Sequence, residues 1–279
     1  MLVTSHAALV ALSMIFLRRS YQGFKFRNRE LYPYVVPFTL FYLFLIFHLL
    51  LVEIDPFITS YFNLDFTHVI YSIEGSTVSI FQGWSNPVLD YYFVFIYIFG
   101  YSFLIYFTPV HYFLSRDFSA LWLTVITYAT MTLLVLPFLL FFPVHDTWWA
   151  SQNYEWYHGD AIIFQLKTIW PDIVNPFFTF TTLNNCFPSL HCGISTIVAV
   201  IAWMRHHHRY ALISTVFAIS IPFATLYLGI HWLTDIVFGE FFAVLSLIIG
   251  LYFTKKILGK KQNRTLSPDS KRGSYIQRR

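Results

Sequence analysis

Residues 211–254 read ALISTVFAISIPFATLYLGIHWLTDIVFGEFFAVLSLIIGLYFT, two apolar stretches joined by a short turn around His231 and Asp235. Each stretch, at about 211–229 and 234–254, is close to the ~20 residues that a helix needs to cross a hydrocarbon core. Backbone groups inside a bilayer must be satisfied within the protein, so two such stretches in succession predict a hairpin of transmembrane helices. The turn between them is then expected at one surface of the membrane.

The rest of the chain follows the same pattern. Of its 279 residues, 57% are hydrophobic and 11% are charged, and the mean hydropathy is +0.57. Soluble domains carry about 25% charged residues, so this composition excludes a soluble globular protein. We predict an all-α fold, a polytopic membrane bundle of six or seven transmembrane helices. Its apolar segments lie at about 2–16, 33–52, 87–108, 119–143, 190–204, 211–229 and 234–254, of which the first and the fifth are short for a full crossing.

The chain is predicted to form one membrane domain. No linker rich in Gly, Ser or Pro and no internal repeat divides it. We predict a transmembrane domain over 1–258, with a catalytic core at about 87–254, followed by a basic tail over 259–279 that is expected to be disordered. No basic residue precedes the first apolar segment and no small-residue cleavage site follows it. We therefore expect a retained membrane segment there rather than a signal peptide.

The positions of Lys and Arg predict the orientation in the membrane. If the first segment spans with its N-terminus outside, 17 of the 18 basic residues fall on the side of the tail, and only Lys167 falls on the other. The tail is therefore expected in the cytoplasm. The connections at roughly 53–86, 144–189 and 230–233 are then extracytoplasmic, and the many aromatic residues of the first two fit a lipid–water interface.

Three ionisable residues, His191, His231 and Asp235, are predicted to meet on the extracytoplasmic face. Ionisable groups at the ends of membrane segments are costly and indicate function. His231 and Asp235 are four residues apart, on one helical face. Ser189 is placed to cap the helix that carries His191, whose first N–H groups offer an anion site. A histidine held by a carboxylate can attack phosphorus and a second can protonate the leaving alkoxide, which requires neither cofactor nor metal.

Two runs carry a resemblance to a known family. Phe187-Pro188-Ser189-Leu190-His191 and YLGIHWLTDIVFG at 227–239 resemble the second and third signature motifs of the type 2 phosphatidic acid phosphatase superfamily. Leu190 between the serine and the histidine is similar to its inositol phosphorylceramide synthase-like branch, and a weaker resemblance extends back to Ile73-Glu74-Gly75. The resemblance implies His231 as nucleophile, Asp235 as its orienting partner and His191 as general acid. It also implies that Ser189 and the backbone N–H of Leu190 bind the substrate phosphate.

Two departures from the superfamily pattern concern the groups that clamp the phosphate. The first motif, a Lys followed six residues later by Arg-Pro, has no counterpart, and Thr225 stands where an Arg is usual, six residues before His231. The synthase-like branch also tends to lack both groups, so their absence favours that branch. Lys167, the one extracytoplasmic cation, is a candidate phosphate ligand, and contact with lipid head groups is its alternative.

The resemblance implies a lipid-phosphate phosphatase that works through a phosphohistidine on the extracytoplasmic face. A phospholipid head-group phosphotransferase is the alternative, because the motifs do not select between water and a lipid alcohol as acceptor. The expected partners are a lipid phosphate or phospholipid and the membrane, with no nucleic acid, and the oligomeric state is left open. A helix cap made by His231 and Asp235 and a transporter are the non-enzyme alternatives, the latter disfavoured because no inverted repeat is found.

Other polar residues have plainer interpretations. The histidines at 206–208 are interpreted as a solvated basic loop rather than a metal site, because adjacent histidines on one turn point in different directions. The polar residues of the 144–189 connection are interpreted as surface residues, with recognition of the substrate as the alternative; they are Asp146, Glu155, His158 and Asp160. Cys186 and Cys192 are expected to be free, since a bridge between them would require the start of a helix to bend back.

Overall fold

The computed structural model describes residues 2–18, 21, 28–178 and 181–265. Within these ranges the regular elements are helices, apart from an isolated bridge between Val144 and Asn185. A π-helical turn lies at Ile96–Gly100 and a 3-10 turn at Pro171–Ile173. The α-helices are α1 (Leu2–Leu17), α2 (Asn28–Phe62), α3 (Thr67–Glu74), α4 (Ser79–Gln82), α5 (Pro87–Phe95), α6 (Tyr101–Leu114), α7 (Phe118–Phe141), α8 (Thr147–Asn153), α9 (Gln165–Ile169), α10 (Val174–Phe177), α11 (Leu190–Met204), α12 (His208–Tyr227) and α13 (Leu233–Thr265).

The long helices confirm the predicted all-α membrane bundle. Five stretches of the described chain are long and apolar enough to cross a membrane, and two shorter apolar helices accompany them. Together they coincide, in order, with the seven segments predicted from the sequence. The long stretches are Leu31–Phe62, Pro87–Leu114, Phe118–Phe141, His208–Tyr227 and Leu233–Gly259, and the shorter helices are Ala7–Leu17 and Leu190–Met204.

Helix α11 lies inside the bundle. It packs against α7, α12 and α13, and most of its side chains are buried. Helix α2, by contrast, exposes apolar side chains such as Leu43, Ile46 and Leu50, as expected of a helix that faces lipid. A helix enclosed by its neighbours need not match the thickness of the hydrocarbon core, which explains why α11 is shorter than the helices around it.

Charged residues form a cluster where α11 ends and α7 and α12 begin. Asp117 accepts hydrogen bonds from Nε and Nη2 of Arg205 at 3.0 and 2.9 Å, and Nε2 of His207 lies 3.2 Å from the same carboxylate. Arg209 donates to a carbonyl in the last turn of α1 at 2.9 Å. The interpretation of residues 206–208 as a solvated loop is therefore wrong for His207, which pairs with a carboxylate.

Residues 144–178 and 181–189 cover the other end of the bundle, and we call them the outer segment. Helices α8, α9 and α10 lie within it. Several hydrogen bonds attach it to the turn before α13. Among them, Thr147 Oγ1 donates to the Gly229 carbonyl at 2.6 Å, and Trp232 Nε1 donates to the His145 carbonyl at 2.8 Å. The outer segment therefore fixes the turn that carries His231.

The last helix extends beyond the predicted domain boundary at 258. Because α13 continues to Thr265, residues 259–265 of the predicted tail are helical. Residues 266–279 lie outside the described residues, so the disorder and the cytoplasmic location predicted for them stay predictions.

Candidate active site

The start of α11 places His191. Ser189 is the N-cap of this helix, as predicted, and its Oγ accepts a hydrogen bond from the N–H of Cys192 at 3.3 Å. The N–H of Ser189 donates to the carbonyl of Asp235 at 3.0 Å. The beginning of α11 is therefore fixed to the first turn of α13, which brings His191 next to that helix.

The turn between α12 and α13 places His231. Gly229 has a φ of +77°, in the left-handed region that glycine adopts at low cost. The turn closes when the N–H groups of Ile230 and His231 donate to the carbonyl of Thr225 at 2.9 and 3.3 Å. Helix α13 begins two residues later, with Asp235 in its first turn. One short turn thus carries both members of the predicted pair.

His231 and Asp235 form a buried pair. Nδ1 of His231 lies 3.1 Å from Oδ2 of Asp235, and the two residues are 4% and 0% exposed. The same carboxylate oxygen accepts the N–H of Trp232 at 2.8 Å. An ionised carboxylate can only accept, so this contact assigns the proton of a neutral His231 to Nδ1. Its lone pair is then at Nε2.

Nε2 of His231 faces the second histidine and lies 3.4 Å from Nδ1 of His191. We call His191 and His231 the histidine pair. The rings of Tyr97 and Tyr101 contact the His191 ring, with centroids 4.9 and 4.3 Å away. Tyr97 lies in the π-helical turn between α5 and α6, a widened geometry that is frequent at functional sites. The structure thus brings together the three predicted catalytic residues and adds two tyrosines that the sequence did not indicate.

Cys186 is a further neighbour of His231 and Asp235. Its Sγ lies 3.1 Å from Nδ1 of His231 and 2.9 Å from Oδ2 of Asp235. Both cysteines are free and buried, as expected. Burial raises the pKa of the Cys186 thiol well above its ordinary value, and the charges of Asp235 and Asp146 raise it further. The thiol is therefore neutral and can donate its hydrogen to the carboxylate.

Asp146 corrects an interpretation made from the sequence. The sequence predicts Asp146 at the surface, but only 4% of the residue is exposed in the structure. Burial raises the pKa of its carboxyl well above the ordinary value; the hydrogen bond from the indole N–H of Trp148, at 3.2 Å, lowers it, and the charge of Asp235 raises it. The outer segment therefore contributes a second buried carboxyl group, close enough to Asp235 for the two charges to interact.

Glu74, at the end of α3, holds the first turn of α13. Its Oε1 accepts the N–H of Leu233 at 2.9 Å, and its Oε2 accepts the N–H and the hydroxyl of Thr234 at 2.7 and 2.6 Å. The first N–H groups of a helix have no partner within it, and a carboxylate there also interacts favourably with the helix dipole. Burial raises the pKa of Glu74, while these hydrogen bonds lower it. Glu74 thus caps the helix that carries Asp235.

Removal of this cap is expected to lower both stability and turnover. Loss of a charged hydrogen-bond partner costs about 1–3 kcal/mol, so Glu74→Ala should lower the free energy of unfolding by about that amount. The variant should also lower kcat more than it raises KM, because the cap holds the turn that aligns Asp235 with His231. The measurements are steady-state kinetics and thermal unfolding of purified protein in detergent. Glu155→Ala, which removes an exposed carboxylate of the outer segment, is the control, and an unchanged kcat in Glu74→Ala would contradict the role.

The predicted phosphate ligands lie in different surroundings. Ser189 is buried, and its hydroxyl, used as acceptor in the cap, keeps its own proton for another acceptor. The N–H of Leu190 has no hydrogen-bond partner among the described residues. Lys167 is exposed on α9, and Thr225 places no charge at the usual Arg position. No ion pair between the described side chains brings a Lys or Arg to the histidine pair. The phosphate-binding roles of Ser189, Leu190 and Lys167 stay predictions.

A helical membrane bundle with two facing histidines, one of them backed by a carboxylate, places the chain in the class of phosphatase-type membrane enzymes. The chain belongs to the PAP2 superfamily, because the family model of that description matches residues 71–249, more than half of its length. That range includes Glu74 and all three predicted catalytic residues. The crystal structure of Aquifex aeolicus LpxE is similar, at 17% identity over 63% of this chain and 93% of that chain, with a TM-score of 0.47. A search of the curated proteins gives no match.

Proposed function

We propose that the protein is a membrane phosphatase that removes the phosphoryl group of a lipid phosphate through a phosphohistidine intermediate. The observation that carries this proposal is the 3.4 Å separation between Nε2 of His231 and Nδ1 of His191, with Asp235 behind His231. A nucleophile and a proton donor are then within reach of one phosphorus atom. Membership of the PAP2 superfamily supports the phosphatase class.

The first step forms the covalent intermediate. Nε2 of His231 attacks phosphorus, an N–P bond forms, and the bond from phosphorus to the lipid oxygen breaks. Protonated His191 gives its proton to the departing oxygen. Asp235 accepts the hydrogen bond from Nδ1 and stabilises the positive charge that develops on the imidazole. A phosphoryl group does not fit between nitrogens 3.4 Å apart, so it enters beside the pair or the rings separate as it binds.

The second step regenerates the enzyme. His191, now neutral, takes a proton from water as the water oxygen attacks phosphorus. The N–P bond breaks and inorganic phosphate leaves with the oxygen of that water. Each residue thus returns to its starting protonation state, and the cycle needs neither a cofactor nor a metal ion.

The site is proposed to face away from the cytoplasm. Arg205 and Arg209 lie at the opposite end of the bundle from the histidine pair, and basic residues concentrate on the cytoplasmic side of membrane proteins. The C-terminus is then cytoplasmic, as the sequence predicted. A lipid in the outer leaflet has its phosphate at the level of such a site, which supports a lipid phosphate as substrate.

Head-group transfer to a lipid alcohol, as in the inositol phosphorylceramide synthase-like branch, is the second candidate. It is favoured by the lack of a Lys or Arg clamp, because a phosphodiester carries less charge to neutralise than a phosphomonoester. The unpaired N–H of Leu190 and the hydroxyl of Ser189 can each donate to such a group. The aromatic outer segment, with Trp148 stacked on Phe164 at 4.8 Å, also favours exclusion of water from the site.

The two activities differ in their products. Purified protein that receives a radiolabelled lipid phosphate together with a lipid alcohol is expected to release inorganic phosphate, and a chelator should not lower the rate. A labelled phosphate ester of that alcohol as the product would contradict the phosphatase and show transfer of the phosphoryl group. Head-group transfer is tested in a second reaction, in which the donor is a phospholipid labelled in its phosphate. A new labelled phosphodiester of the lipid alcohol in that reaction would support the transferase. In sealed vesicles with the C-terminus inside, substrate added from outside should be turned over. Turnover that appears only after permeabilisation would contradict the proposed sidedness.

A further inference from the structure

Three donor atoms of different residues converge behind the nucleophile. Sγ of Cys186 lies 3.1 Å from Nδ1 of His231 and 2.9 Å from Oδ2 of Asp235, and these last two atoms are 3.1 Å apart. All three residues are buried, and no other group of three His, Cys, Asp or Glu donors among the described residues meets the same distance limits. The donors come from two separate parts of the chain, the end of the outer segment and the start of α13.

The chemistry of this triangle fits a thiophilic divalent cation. Zn²⁺ binds thiolate, imidazole and carboxylate at about 2.0–2.3 Å, so an ion just above the triangle reaches all three donors after they separate by a few tenths of an ångström. A thiolate and a carboxylate together balance the two positive charges of the ion, which offsets part of the cost of burying all three charged groups. The second oxygen of the Asp235 carboxylate, Oδ1, is buried and has no hydrogen-bond partner within the described part of the chain. It offers a further lone pair to an ion.

We propose that Cys186, His231 and Asp235 form an inhibitory binding site for a thiophilic divalent cation such as Zn²⁺. The claim that the ion inhibits the enzyme rests on the proposed function, whereas the claim that the ion binds does not. An ion on Nδ1 of His231 occupies the lone pair at that nitrogen, so the proton of the neutral ring moves to Nε2. The nitrogen that attacks phosphorus then has no free lone pair. The thiol gives up one proton to solvent when the thiolate binds, and removal of the ion restores the active tautomer.

Cobalt is the direct probe of the site, because a thiolate bound to Co²⁺ gives a near-ultraviolet charge-transfer band that oxygen and nitrogen ligands do not give. The chain has two cysteines, and the other one, Cys192, is buried in α11 and supplies the matched control. Purified full-length wild type and Cys192→Ser should both show the band at one Co²⁺ per chain, whereas Cys186→Ser should lack it. No band in the wild type, or a band lost in Cys192→Ser and kept in Cys186→Ser, would overturn the site.

Measurements of the reaction rate with and without Zn²⁺ test whether the bound ion inhibits the enzyme. Each variant is compared with its own metal-free rate. Zn²⁺ should inhibit the wild type and Cys192→Ser at the same concentration, and Cys186→Ser should require at least about tenfold more, because a hydroxyl binds Zn²⁺ less well than a thiolate. Equal inhibition of all three proteins, or a cobalt band without inhibition by Zn²⁺, would overturn inhibition at this site. A cobalt band in a protein without phosphatase or transferase activity would uphold the site and contradict the proposed function instead.

Discussion

His231→Ala should abolish turnover and leave no covalently bound phosphate on the protein. The imidazole Nε2 is the group proposed to attack phosphorus, and among the described residues it is the side-chain nitrogen within hydrogen-bond distance of His191. We expect a loss of at least about 10⁴-fold, the upper end of the effect of single acid–base groups, because the nucleophile itself is removed. The measurement is the single-turnover rate with a radiolabelled lipid phosphate, followed by separation of protein-bound label.

Substitutions of His191 and Asp235 are expected to affect turnover and bound phosphate in different ways. His191→Ala should still form the N–P bond slowly, so that label accumulates on the protein, since the water attack lacks its base. Asp235→Asn should lower turnover by about 10²–10⁴-fold, because the amide no longer fixes the Nδ1–H tautomer. Bound label should be labile in acid and stable in alkali, as phosphohistidine is.

The control for these variants is His158→Ala, which removes an exposed histidine of the outer segment. It should keep the wild-type rate. Wild-type turnover in folded His231→Ala protein would refute the mechanism, and so would label that survives acid. Loss of activity in all variants together with loss of the thermal transition would mean unfolding, which is why unfolding is recorded for each protein.

The long helices were predictable because each is a local feature. About 20 consecutive apolar residues are sufficient to indicate a membrane span, and the segments at 87–108, 119–143, 211–229 and 234–254 needed no knowledge of their neighbours. The pairing of His231 with Asp235 was equally local, because four residues make one helical turn. His191 could be assigned to the same face from the number of crossings between them and from the motif around it.

The rest of the site depends on contacts between distant parts of the chain. Glu74 reaches α13 across 159 residues of sequence, and Cys186 meets Asp235 across 49. Neither contact leaves a periodic pattern in the sequence. Asp146 was interpreted as a surface residue, but the fold buries its carboxyl group within the outer segment, where it accepts a hydrogen bond from Trp148. Tyr97 belongs to an apolar run, and its contact with His191 depends on how α11 packs against the π-helical turn.

Gly239 allows a close contact between α13 and the start of α11, next to the catalytic residues. A Cβ on Gly239 would overlap the carbonyl oxygen of Ser189 and would lie 3.2 Å from its carbonyl carbon. These are backbone atoms that cannot rotate away. They are also held in place, because the N–H of Ser189 donates to Asp235 at 3.0 Å and its carbonyl accepts the N–H of Gly193 at 3.2 Å. Helices α11 and α13 can approach this closely only with glycine at this contact.

Gly239→Ala is therefore expected to push α11 away from α13 and to separate His191 from His231. Overpacking of this kind costs about 1–3 kcal/mol of stability, and a displacement of about 1 Å at reacting groups can cost about 10²-fold in rate. We expect kcat to fall by about 10²-fold in protein that still folds, with a smaller change in KM. The measurements are steady-state kinetics and thermal unfolding of the purified variant.

Gly250→Ala is the control for Gly239→Ala, because it disturbs the packing of α13 far from the contact that aligns His191 with His231. Its Cβ would overlap Oγ1 of Thr127 on α7, a side-chain atom that can rotate away, and Gly250 lies 11 residues, or about 16 Å, further along α13. We expect a modest drop in stability and a wild-type kcat for this variant. If Gly239→Ala kept the wild-type kcat, or if both variants lost kcat equally, the contact between Gly239 and Ser189 would not be what aligns the two histidines. A loss of kcat confined to Gly239→Ala would tie catalysis to the distance between the starts of α11 and α13, the same distance that Ser189 and Asp235 fix through their backbone hydrogen bond.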